Sequence, residues 1–307
     1  LTNRNDYSHG VFHLTRKKNK NKQMKKKLLI AAILLLFIAV SSKAQQIMNT
    51  PPRDGVVDRT EKMDKKPIAY PWIRNADYVW ERRIWRVIDM REKMNQPMYY
   101  PEVPHNNWRS LMTIMMDAIK EGSLTAYDAS SPTDEFISPL SYKELMQKVE
   151  SSDTVQMQRS YPPYDFFDSV VVKKLNTTDI KKIRIKEDWF FDKQRSMLEV
   201  RIIGICPVID VLNDDGTFRG QKPLFWIYFP EARPILAKSE VFNRFNGAAR
   251  LTYDDLFWKR MFSSYIYKVD NQYDRKISEY ASGMDAMLES ERIKEDLFNF
   301  EQQLWEY

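Results

Sequence analysis

The chain is 307 residues long, with 48 Lys and Arg against 42 Asp and Glu, a formal net charge of +6 and a pI near 9.1. Residues 1–44 hold ten of the bases and one of the acids, so residues 45–307 carry 38 bases against 41 acids, a net of −3, and the apparent basicity gives no ground for a nucleic-acid partner. A single Cys, Cys206, excludes an intrachain disulfide, which leaves packing of an apolar and aromatic-rich chain as the source of stability.

Residues 1–23 read as an upstream over-call of the start. Met24 is followed by Lys25, Lys26 and Lys27, then by the apolar run Leu28 to Val40 and by Ser41-Ser42-Lys43-Ala44. That order is a signal peptide over 24–44 with cleavage between Ala44 and Gln45. The run is shorter than the roughly 20 residues a permanent membrane helix needs, and no Cys stands at the cut to take a lipid. An exported protein beginning near Gln45 is expected.

Residues 45–72 show neither helical nor strand periodicity and hold four prolines, so an extended arm is predicted, lying on its own surface or a neighbour's. Trp80, Ile84, Val87 and Met94 then fall at helical spacing and predict a helix from about Asp77 to Asn95. A second helix is predicted from Asn106 or Asn107 to a Gly122 stop, with Leu111, Met112, Met115 and Ile119 on its buried face. Residues 123–166 read as irregular apart from a short helix near Ser141 to Val149.

Strand signals follow: Ile183, Ile185 and Trp189 alternate with charged residues, as do Leu198, Val200 and Ile202, and 213–216 is a turn before a strand at Leu224 to Phe229. Short turns between successive strands predict an antiparallel sheet. Pro234 is taken as the start of a helix closing near Gly247. Thr252 with Asp255 marks another helix start, with a stripe of Phe257, Met261 and Tyr265. The C-terminal helix is expected to carry Tyr273, Ile277, Tyr280, Met284 and Leu288, then Ile293, Leu297, Phe300 and Leu304. The step of five between Leu288 and Ile293 turns the stripe by roughly 140°, so the two halves face different surfaces. The acidic end, 289–307, is either a solvated face or a docking tail for a basic partner.

Signals for catalysis are sparse. After residue 44 one His (His105), one thiol (Cys206) and seven glycines remain, which leaves no zinc site, no nucleophile–His–Asp arrangement and no Gly-rich phosphate loop in the sequence pattern. Cys206 lies in an apolar strand before Pro207, where a thiol is inert. No cofactor is expected. The fold class predicted is α+β: a single domain, about 73–288, with a central mainly antiparallel sheet flanked by helices, an extended N-terminal arm and a long C-terminal helix.

Four stretches carry a resemblance: RDGVVDRT (53–60), YPWIRNADYVWERRIWRVIDMREKMNQPMYYP (70–101), RIKEDWFFDKQRSMLEVRIIGICPV (184–208) and FWIYFPEARPILAKSEVFNRFNGAARLTYDDLFWKRMFSSYIYKVDNQYDR (225–275). They resemble the GldN/PorN family of gliding motility and the type IX secretion system. The resemblance implies a periplasmic structural subunit that forms a ring with the outer-membrane lipoprotein GldK (PorK) and links to GldM (PorM), with membrane association only through partners. It brings no catalytic residues. Within that reading, Trp and Arg dominate interface hot spots, so Arg53, Asp54, Trp72, Trp80, Arg82, Trp85 and Arg86 are candidate interface residues; for the tryptophans, Trp80 above all, ordinary core packing is the competing assignment. Two other function classes stay open: a periplasmic enzyme acting on wall glycan through paired carboxylates, and a monomeric ligand-binding domain.

Overall fold

The computed structural model describes residues 64–304 except 106, 131–133, 163, 174, 214 and 245, with backbone alone at 151–155 and 167–173. The predicted leader, the cleavage site at Ala44 and Gln45, and the arm residues Arg53 and Asp54 lie outside the described residues. The chain divides into two units, Leu1–Asp58, also outside them, and Arg59–Tyr307.

From the N-terminus the elements are β1 (Tyr78–Asp89), α1 (Gln96–Tyr99), α2 (Leu111–Lys120), β2 (Ala126–Asp128), β3 (Pro139–Leu140), α3 (Tyr142–Val149), β4 (Ser151–Gln158), β5 (Phe166–Lys173), β6 (Ile180–Asp192), β7 (Met197–Leu212) and β8 (Phe218–Pro223). They continue with β9 (Phe225–Tyr228), α4 (Phe229–Lys238), β10 (Glu240–Val241), β11 (Leu251–Thr252), α5 (Tyr253–Trp258), β12 (Tyr265–Val269) and α6 (Met284–Gln303). The main sheet has eight strands in the order β12-β1-β6-β7-β9-β2-β3, with β8 also on β7, and every pairing is antiparallel. The α+β class with a mainly antiparallel sheet is therefore what the chain adopts.

The long hairpin of β6 and β7 is the spine, in register from Ile180↔Ile209 to Asp192↔Met197. A register shift opposite Lys186 and Glu187 places both Ile202 and Ile205 on one face, which accounts for an apolar stretch with no clean alternation. On that face Ile88, Ile183, Ile185, Ile205 and Ile227 pack under α2, α4 and α5 in the main core. Ile84, Ile266 and Val269 extend it toward α6, which contributes Ile293 and Leu297. The opposite face is aromatic: Trp85, Cys206 and Trp226 pack with Tyr127, Tyr267 and Phe136. Gly204 is fixed by that packing, since a Cβ there would stand 2.7 Å from the Phe136 ring.

Capping follows the sequence closely in two places. Ser141 with Glu144 opens α3 and Thr252 with Asp255 opens α5, each as a reciprocal box. Elsewhere the sequence-based expectations need correction. The expected helix from Asp77 to Asn95 is strand β1. The second helix begins at Leu111, capped by Ser110, rather than at Asn106 or Asn107. The stretch 123–166 holds three strands and the first residue of a fourth as well as α3. α4 starts at Phe229, with Pro230 in the first turn where its missing N–H costs nothing, so Pro234 sits inside the helix, which ends at Lys238. α5 stops at Trp258, and Tyr265 belongs to β12. α6 starts at Met284; Ile277 lies in a 3-10 turn before it.

Candidate interaction surfaces

The described part of the arm lies on its own domain. Lys65 Nζ donates to both carboxylate oxygens of Asp255, at 2.5 and 2.6 Å, at the first turn of α5. Tyr70 stacks on Trp258 with ring centroids 5.4 Å apart, and the guanidinium groups of Arg233 and Arg201 lie 4.3 and 5.0 Å from its ring. Arg233 is held in turn by the buried Asp254 at 2.8 Å, and Arg201 donates to the Pro71 carbonyl at 2.7 Å. A cation on an aromatic face in a desolvated setting is worth roughly 2 kcal/mol, so Tyr70 is the arm's anchor. Its neighbour Trp72 remains 80% exposed.

The other candidate residues divide sharply. Trp80 is half-buried and stacks on Phe300 of α6 at 4.5 Å. Arg82 is half-buried. Trp85 is only 5% exposed, with the ammonium groups of Lys268 and Lys186 at 4.4 and 5.8 Å from its ring. Arg86 is also buried, and its Nε donates to Glu187 at 3.1 Å. In this structure the side chains of Trp85 and Arg86 are thus largely engaged inside their own domain.

Arg86 belongs to a charge cluster that periodicity could not signal. Glu187, fully buried, also takes Arg260 at 2.9 Å and the indole N–H of Trp189 at 3.2 Å. Both guanidinium groups sit 5.6 Å from the Trp189 ring. Burial pulls the Arg86 guanidinium below its ordinary pKa, and the Glu187 charge works against that. The cluster floors a cleft of about 630 Å³ whose wall is α6, with Glu291, Glu295, Leu297 and Phe298. Glu291 also favours the charged form of Arg86. Part of the acidic C-terminal helix is therefore matched by cations of its own domain.

Burial pushes the Cys206 thiol up to about 12, so at neutral pH it is a protonated core group. His105 lies in a loop, bridged to Trp108. Among the described residues no three His, Cys, Asp or Glu side chains gather as a metal site, and no described helix is long and apolar enough to cross a membrane.

The surface instead carries unpartnered apolar groups. α6 buries Ser290, Ile293 and Leu297, while Met284, Met287 and Leu288 are 69, 70 and 62% exposed. Within the helix the five-residue step turns Met284 and Leu288 outward while Ile293 and Leu297 cover the domain; Ile277 of the first set lies before the helix and packs with Ile293 and Leu297. A second apolar surface is a groove of about 390 Å³ between α1, α5 and the β10–β11 ribbon. The β4–β5 hairpin forms a separate two-stranded sheet. No curated protein matches the chain. Residues 73–306, well over half of its length and the whole of the sheet and helices described above, match the family described as gliding motility associated protein GldN, and the chain belongs to that family.

Proposed function

We propose that this protein is a periplasmic structural subunit of the type IX secretion and gliding machinery. In this reading it forms a ring with a GldK (PorK)-like outer-membrane lipoprotein and links that ring to a GldM (PorM)-like protein. The observation that carries the proposal is the family match over 73–306, which spans the α+β unit from β1 to α6. Three features support it. The 24–44 leader pattern implies export. The one thiol is buried and protonated at neutral pH. Large apolar side chains stand exposed together at the start of α6, Met284, Met287 and Leu288, and a contiguous exposed apolar patch marks an association surface.

Ring closure needs two different patches on each subunit meeting head to tail. The arm bearing Trp72 contributes one of these contacts. Co-expression with the lipoprotein partner, followed by affinity purification and negative-stain imaging, tests the reading: closed rings containing both chains are expected. Recovery of this protein as a lone monomer, with the lipoprotein assembling without it, would remove the structural role. Lysis of wall glycan by the purified protein, lost on substitution of one Asp or Glu, would replace that role with an enzymatic one.

A further inference from the structure

We propose that Met284, Met287 and Leu288 of one copy seat in the groove between α1, α5 and the β10–β11 ribbon of the next copy. This rests on the ring reading and supplies one of its head-to-tail contacts.

The groove is apolar along its floor and open at its surface. Met94, Tyr100, Phe242 and Met261 line it and stay 42–55% exposed. Its charged lining groups are Lys93 and Arg244, with no acid among them. The first two turns of α6 are the complement. Met284, Met287 and Leu288 stand at i, i+3 and i+4, the spacing by which a helix anchors in a groove. The charged residues of 284–291 are Asp285, Glu289 and Glu291, with no base among them. Glu289 is tied to Arg292 at 2.6 Å and Glu291 to Lys294 at 3.0 Å, which leaves Asp285 to face the groove's cations.

Methionine on both sides suits such a contact, because an unbranched thioether adapts to an irregular partner surface. The two surfaces share no residue, so docking is heterologous: each copy offers a helix to one neighbour and a groove to the other, and the contact propagates until it closes. The buried stripe of α6, Ile293 and Leu297, points away from this face and holds the helix to its own domain.

The test uses the full chain, exported and purified, in sedimentation velocity over a concentration series. Leu288→Asp breaks the helix surface and Met94→Asp the groove; both positions are more than half exposed, and circular dichroism with thermal melting checks that each variant folds. Wild type is expected to self-associate, each variant alone to associate at least about tenfold more weakly, a difference of about 1.4 kcal/mol. An equal mixture of the two variants should recover dimers and nothing larger, since one intact helix meets one intact groove. Folded variants that associate like wild type, or a wild type that sediments as a monomer throughout, would overturn the proposal. Imaging with the lipoprotein partner separates the two readings: rings built from Leu288→Asp protein keep the ring and discard this contact, whereas no rings from wild type discards both.

Discussion

At the scale of single residues, two charges decide more than their neighbours. Glu187 is fully buried and answers two guanidinium groups, Arg86 and Arg260. Glu187→Gln keeps the shape and removes the counter-charge, so Arg86 is left as a buried cation without its partner. Breaking a buried pair on one side costs about 3–5 kcal/mol, and urea unfolding of the variant should show a loss of that size. The double change Arg86→Leu with Glu187→Leu should cost less than Glu187→Gln alone, because Arg260 is partly exposed and can turn to water. Asp255 acts at the surface. Burial pushes its carboxyl up, but hydrogen bonds from Lys65 and Thr252 outweigh this and hold it below the ordinary value. A lowered folded-state pKa gives stability that is present above the unfolded value, about 4, and lost as pH falls through the folded value. Protection factors across 64–71, with the intrinsic pH dependence of exchange divided out, should therefore fall on acidification below that range. In Asp255→Asn the exchange should already be fast at neutral pH, with no further acid-dependent opening.

At the scale of elements, β1 shows how far the sequence could be read. Trp80, Ile84 and Ile88 recur every four residues, which fits a strand period of two as well as a helical turn. Val87 tipped the pattern toward helix. In the sheet, β1 lies between β12 and β6 with both faces covered, so Trp85 and Val87 are buried on one side and Ile84, Arg86 and Ile88 on the other. A strand buried on both faces loses its alternation. The ion pair to Glu187, 101 residues away, then buries Arg86, a candidate interface residue on sequence grounds. Local chemistry was legible wherever it was decisive: the Thr252 box, the 213–216 turn and the five-residue step in α6. Of the β4–β5 hairpin, Ser151–Gln158 reads as polar and hides its strand, whereas Phe166–Lys173, with two Phe and three consecutive Val, is a strand signal that the sequence-based expectations omit. The hairpin's register, Ser151↔Lys173, brings its two ends together. Replacing 152–172 with a short Gly/Ser turn should leave thermal melting of the domain within a few degrees of wild type. A collapse of the melt would show instead that the hairpin is part of the core. Loss of assembly with the melt intact would assign it to a contact.

At the scale of the molecule, charge and apolar surface are distributed to different ends. The cluster of Arg86 and Arg260 faces the acids of α6, and the arm is held by Arg201 and Arg233 against Tyr70. Much of the internal electrostatics therefore fixes the two terminal elements onto the sheet, and what those elements then display outward is apolar. Trp72 is the sharpest instance. The residues on either side of it are fixed or half-buried, its own ring is 80% exposed, and a large aromatic held rigid in water at little further entropic cost is suited to a partner's pocket. Substituting an exposed side chain changes stability by no more than about 0.5 kcal/mol, so Trp72→Ala should melt like wild type. Deleting 45–66 removes the Lys65 latch but keeps the Tyr70 cage, and this shortened protein should also fold. Both variants are expected to drop out of full-size assemblies when co-expressed with the lipoprotein partner, as read by size-exclusion chromatography of the affinity-purified complex. Co-elution of Trp72→Ala at the wild-type position would clear this ring of any part in the contact and confine the arm's role to bracing α5 and β7 of its own domain.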